Sequence, residues 1–261
     1  MKTCKILLID LFVTILFIID INGQNIVVSD NLIANSEPLK VKMGAQGFGK
    51  ISKWKFGEYS VVSSKAGWTK TTSKSNLFNT KTESKTTQKF SFIMCNKESD
   101  SALVNAAKNV EIKQVQGFEI FPDFYLGENE VKLSANNFTA TITINHDTTD
   151  TWILLMNSEW GSESENTGEA ILTNGITKYL IFSASSNSNG TDKRNIPAKG
   201  YEFREKDNAV LALQYYGGGA MGYNKNLVWI DNNQNQKMKL ILAATATAIF
   251  QLKIDEIAAF E

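Results

Sequence analysis

The stretch QYYGGGAMGYNK, Gln214 to Lys225, places Gly217, Gly219 and Gly222 at the spacing G-x-G-x-x-G. At that spacing a backbone loop can close on a pyrophosphate, provided a strand precedes the glycines, a helix opens within them and an acid follows about 20 residues later. AVLALQYY supplies the strand, but YNKNLVWI leads into another strand and Asp231 comes too early. The pyrophosphate would have no helix N-terminus to sit on. The glycines are expected to connect two strands, as a hairpin loop or where another backbone passes closely, and no cofactor is expected. Tyr215, Tyr216, Met221 and Tyr223 crowd this loop, and with Trp160 they are the candidate ligand contacts.

Nucleophilic and metal chemistry find few residues to work with. His146 is the one histidine, in INHDTTD beside Asp147 and Asp150. A strand-end histidine oriented by a carboxylate could serve a serine hydrolase. The nearest serine stretch, WGSESE, lacks the second glycine of a nucleophile elbow, so His146 reads as a solvated turn residue. The usual zinc sets cannot be assembled from one histidine and the cysteines present. DNNQN offers oxygens at Asp231, Asn233 and Asn235, but Gln236 replaces the required glycine and Leu242 stands where a calcium loop needs a bidentate glutamate. Capping a following helix is the simpler role, and no metal is expected.

Carboxylates and lysines remain. Two acidic stretches, GFEIFPDFYLGENE and SEWGSESENTGE, carry Glu119, Asp123, Glu128 and Glu130, and Glu159, Glu163, Glu165 and Glu169. A glycosidase needs two such groups across a bound sugar, and Trp160 or Phe124 could stack on its rings. Solvated loop acids are the plainer reading. Conversely, Ser64 to Lys89 holds six lysines against Glu83 alone. It could be a positive hairpin contacting anionic lipid headgroups or acidic glycans. The plainer alternative, which we favour, is a pair of solvated edge strands whose lysines block edge-to-edge pairing.

The elements that must position these residues follow from composition and period. Lys plus Arg equals Asp plus Glu, at 27 each, so no global field attracts nucleic acid. Lys2 and Lys5 precede an apolar run, Ile6 to Ile19, and then INGQ. The order is that of a secretory signal over residues 1–23, cleaved near Gly23; an uncleaved anchor is the alternative. The run is short for a span and carries Asp10, so no transmembrane segment is expected once the signal is cleaved. Cleavage would leave Cys95 alone, without an intrachain disulfide, as a small buried hydrophobe. The expected locations are secreted, periplasmic or outer envelope.

Residues 24–261 read as one domain. Apolar residues recur mainly with period two, as in FTATITIN and DTWILLM with HDTT as the turn between them. Counting similar runs gives about twelve short strands with no long helical crossovers, hence an antiparallel sheet. The exception spans about 236–253, in QKMKLILAATATAIFQLKID, which is rich in Ala and Leu and apolar all round. Such a helix is expected at the centre of the fold, with its alanines letting strands approach. Lys237 and Lys239 stand near its N-terminus, against the macrodipole. The expected fold is all-β with one buried C-terminal helix, an antiparallel barrel around that helix; a sandwich with a peripheral helix is the alternative.

In GYEFREKDNAVLALQ, LVWID and LILAATATAIFQL the chain resembles the tubby-like fold of tubby, phospholipid scramblase and LURP-one proteins, and also uncharacterised secreted bacterial proteins of that shape. The resemblance implies a barrel around a hydrophobic C-terminal helix. It departs from the largely cytoplasmic tubby-like families in its signal sequence, and no family binding residue matches by position. The expected function is that of a secreted or envelope-associated protein without catalytic activity, binding a lipid, glycan or protein. A carbohydrate-active hydrolase using the acidic loops is the alternative.

Overall fold

A computed structural model of the chain describes residues 25–67, 69–75, 81–115, 118–121, 124–126, 130–157, 170–188, 196–218 and 225–258. Residues 1–23, where a signal was expected, and Trp160, Met221 and Tyr223 lie outside these residues. The chain runs through helix α1 (Asp30–Ala34) and strands β1 (Leu39–Lys40), β2 (Lys42–Met43), β3 (Trp54–Phe56) and β4 (Tyr59–Ala66). Strands β5 (Lys70–Ser75), β6 (Lys81–Cys95), β7 (Ser101–Val115), β8 (Phe118–Phe121), β9 (Phe124–Leu126) and β10 (Glu130–Ile144) follow. Then come β11 (Asp147–Asn157), β12 (Ala170–Thr173), β13 (Lys178–Ser185), β14 (Lys199–Glu205), β15 (Asn208–Tyr216), β16 (Leu227–Ile230) and helix α2 (Gln236–Ala258).

The main sheet is antiparallel throughout, in the order β1-β16-β15-β14-β13-β12-β11-β10-β7-β6-β4-β3-β2, with β5 added on β6. Its two ends are the same piece of chain. β1 pairs with β16 and β2 with β3, and only Val41 separates β1 from β2. Val41 N–H donates to the Asn226 carbonyl at 3.0 Å, while Gly44 N–H donates to Lys53 at 2.8 Å. One run thus changes partners at Val41 and brings the edges together. The result is a nearly closed barrel, which leaves β5 as an edge strand while covering edges that would otherwise invite aggregation.

Alternation explains what fills it. Phe90, Phe92 and Met94 on β6, Ala102, Val104 and Ala106 on β7, Phe138, Ala140 and Ile142 on β10, and Trp152, Leu154 and Met156 on β11 are all buried in one core. Period two puts each set on one face. The small inward residues of β7 leave room for α2, which lies against β7, β10, β15 and β16. From Leu240 to Leu252 every residue of α2 is buried. Its polar residues are satisfied locally or by the wall. Thr245 and Thr247 hydroxyls donate to the carbonyls of Ile241 and Ala243 one turn back, at 2.8 and 3.0 Å. Burying Phe250 alone is worth about 1.5–3 kcal/mol. The helix is therefore central.

Its start answers the charge problem posed by Lys237. Asn235 Oδ1 accepts from Met238 N–H at 2.8 Å and so caps the helix, and Lys237 pairs with Asp150 on β11 at 2.7 Å. Asp231 closes its own turn by accepting from Asn233 N–H at 2.9 Å.

A second, smaller core sits outside the barrel. Ile26, Val28 and Leu32 pack on Ala184, Ala198, Ala209, Ala212, Leu227 and Trp229. This strap explains why β16 is buried at all four positions: Val228 and Ile230 face the main core, Leu227 and Trp229 the strap. Two expectations need correction. Cys95 is half-buried, because β6 alternates and its inward positions are Phe92 and Met94. The β10–β11 turn is Asn145–His146, both at positive φ (50° and 61°), with Asp147 already in the next strand. A two-residue turn of that kind matches strand twist, so His146 is an exposed turn residue.

Candidate functional site at the C-terminal end of the enclosed helix

α2 continues past the expected end near residue 253 to Ala258, and its last turns carry charge into one end of the barrel. Glu256 is held between two lysines, Lys253 on α2 at 2.8 Å and Lys108 on β7 at 3.0 Å. Asp255 accepts from the amides of Gln251 at 2.8 Å and of Gln88 on β6 at 3.0 Å. Gln88 and Lys108 reach these acids because they continue the inward faces of Phe90 and Ala106 by one step of the alternation.

Lys253 has a second set of neighbours. Its Nζ lies 5.3 Å from the ring centre of Tyr215 on β15 and 5.7 Å from that of Tyr201 on β14. The two rings are 5.2 Å apart and tilted by 34°. A shift of register, pairing Lys199 with Tyr216 but Gly200 with Gln214, sets Tyr215 in a bulge. Bulges re-aim side chains in this way.

The environments separate the titrating groups. Burial pushes Asp255 above the usual carboxylate range, only partly offset by Gln251, Lys108 and Gln88. Burial would raise Glu256 too, but Lys253 and Lys108 outweigh it and hold the carboxyl below its ordinary value. Burial pushes the Tyr215 phenol up to about 12, against a hydrogen bond with Tyr201 and with help from the Glu256 charge. Each acid is thus engaged by a lysine or an amide. The arrangement holds a half-buried ammonium over two tyrosine rings as a cation–π contact.

Of the sequence candidates, Tyr215 belongs to this cluster, while Tyr216 stands half-buried opposite Lys199 at the end of β15. Met221, Tyr223 and Trp160 fall outside the described residues. So do Asp123, Glu128, Glu159, Glu163, Glu165 and Glu169, and Glu119 and Glu130 are described only as strand backbone. Beside His146, both acids are occupied. Asp147 accepts from the Thr149 hydroxyl and N–H at 2.6 and 3.0 Å, and Asp150 from Lys237 and Asn174. These bonds hold both carboxyls below their ordinary range. Among the described residues no group of three or more His, Cys, Asp and Glu side chains could hold a metal.

The glycine run joins β15 to β16, with Gly218 at φ 74°. A Cβ there would come within 2.9 Å of the Ile196 carbonyl and the Ala198 nitrogen, so the glycine lets residues 196–198 pass. The described residues of the Lys-rich segment form the end of β4, β5 and the first half of β6; β5 is an edge strand, but β6 is not, because β7 pairs with its other side.

Lys253, Tyr201, Lys108 and Gln88 were not singled out in the sequence. The available signal was Gln251, Asp255 and Glu256 recurring on an otherwise apolar helix. The chain matches no family model, no curated protein and no solved structure.

Proposed function

We propose that the chain is an exported, non-catalytic binding protein built on a tubby-like frame, contacting its partner from the outside and ends of the barrel. The observation that carries this reading is the enclosed helix. α2 is buried through the barrel, and the acids at its end are engaged by Lys253, Lys108, Gln251 and Gln88. A general acid–base pair needs carboxyls within reach of a substrate. Among the described residues no helix is long and apolar enough to cross a membrane.

The test uses the purified chain spanning residues 24–261. Glycan and lipid arrays should give saturable binding on at least one surface, with no turnover of glycoside or ester panels. Turnover lost in E119Q and E159Q would replace this reading with a hydrolase. Export is checked by N-terminal sequencing of the protein from its own cells. Gln24 as the first residue is expected, and an intact Met1 in the cell interior counts against export.

A further inference from the structure

We propose that the outward face of the β4–β5–β6 ribbon is a docking strip for a linear acidic polysaccharide, a sugar chain bearing carboxylates or sulfates along its length. This rests on the reading of the chain as a binding protein and supplies a ligand class.

The register arranges the lysines. Lys65 stands opposite Ser91, Lys70 opposite Thr87, Thr72 opposite Lys85 and Lys74 opposite Glu83. Opposed residues share a face, and so do residues two apart on one strand. Lys65, Lys89, Lys70, Lys85 and Lys74 therefore lie on one face, away from the side of Gln88, Phe90 and Phe92. All five are exposed. Taken in that order, each is the diagonal neighbour of the next, and diagonal positions are about 7–8 Å apart. The zigzag runs about 25 Å along the ribbon at the rise of a strand. Glu83 is the acid on the ribbon itself, and Glu111 on β7 stands opposite Lys85 across the next ladder.

Edge protection does not account for this. A lysine or two on β5 would block pairing with another chain, whereas five exposed lysines follow one another along a single face of two strands and the end of a third. A row of that length attracts a polyanion. Lysines without arginine provide point charges and no bidentate fork. Thr72, Thr87 and Ser91 interleave with them, and the Thr87 hydroxyl donates to Asn109 at 3.0 Å. Hydroxyls between cations suit a polymer that carries both charges and hydroxyls. A line one ribbon wide suits a linear chain better than a bilayer plane. The described positions of this face hold no aromatic side chain on which nucleic-acid bases would stack.

The probes are immobilised polygalacturonate and dextran sulfate, with uncharged dextran as control. The chain should bind both charged polymers, ignore dextran, and weaken as salt screens the lysines. K70Q/K85Q/K89Q should weaken binding by about ten- to a hundred-fold. K53Q/K178Q/K206Q, the same charge change at exposed lysines elsewhere, should leave it within about two-fold. K65Q/K74Q, at the ends of the strip, serves as a second variant, and unchanged melting confirms folding. Equal weakening by the control variant overturns the proposal, as does preference for phosphatidylglycerol vesicles or single-stranded DNA. Failure to bind either charged polymer overturns the ligand class but leaves the binding reading intact if arrays show another ligand. Cleavage of the polymer would instead overturn the binding reading.

Discussion

Gln251, 1 % exposed inside the barrel, accepts a hydrogen bond from the Trp54 indole at 3.2 Å while its neighbour Phe250 stacks on that same indole. Its oxygen also receives Ser52 N–H at 3.3 Å. One polar residue on a buried helix thus fixes both rotation and height of α2 against the wall at β3. Q251A would leave a buried indole N–H and a backbone N–H without this acceptor. The expected loss is about 1–3 kcal/mol in urea unfolding. A loss below about 0.5 kcal/mol would mean that water replaces the amide.

Gly200 supports the strap as well as the sheet. A Cβ there would collide with the Leu213 carbonyl and come within 2.8 Å of the Ile26 side chain. Ile26 N–H in turn donates to buried Gln214 at 2.9 Å. G200A should cost about 1–3 kcal/mol by overpacking. Hydrogen exchange at residues 26–34 should quicken more than exchange in α2, since the strap has the freer route to move. Equal acceleration in both would place the strain in the barrel.

The barrel was legible because its signals are local. Period two shows in FTATITIN, and the all-round apolar run from Leu240 admits a buried position. The three glycines lost their phosphate reading for an equally local reason, since a strand follows them. What stayed hidden depends on distant partners. Nothing near Lys253 indicates that Tyr201 and Tyr215 flank it, because a register shift between β14 and β15 brings them there. SALVNAAKN, rich in Ala and Asn, does not read as a strand, yet β7 forms because β6 and β10 pair with it on both sides. The strap was hidden likewise: Ile26, Val28 and Leu32 become buried only against alanines more than a hundred residues away.

The two acids at the end of α2 should act with opposite sign on stability against pH. Glu256 has a lowered folded value. Its contribution is present above its unfolded value, near 4.5, and is lost as pH falls through the lower folded value. Asp255 has a raised value. Its contribution is present below its unfolded value, near 3.8, and is lost as pH rises through the higher folded value. Between pH 3 and 7, E256Q should flatten the acid limb of the stability curve. D255N should remove the opposing slope and leave neutral stability equal or higher. Chemical denaturation across that range checks both, and an unchanged acid limb in E256Q would show that its lysine contacts do not persist in solution.

Glu202 sits on the outer face of β14 at 2 % exposure, where an unpartnered carboxylate would be costly. It is satisfied by the strap. Ser29 donates its N–H at 2.8 Å to one oxygen and its hydroxyl at 2.6 Å to the other, which also accepts from Arg204 Nε at 2.6 Å. Ser29 therefore spends its hydroxyl on Glu202 and does not cap α1, which it immediately precedes. Arg204 is the half-exposed partner and lies 5.1 Å over the Phe182 ring, so solvent discounts its share. E202A should cost about 1–3 kcal/mol. Its particular mark would be local, with protease cleavage appearing between residues 25 and 36 under conditions where the barrel stays folded. S29A, removing one of the three bonds, should show the same cleavage more weakly. Global unfolding in E202A without prior cleavage of the strap would mean that the second core and the barrel open together.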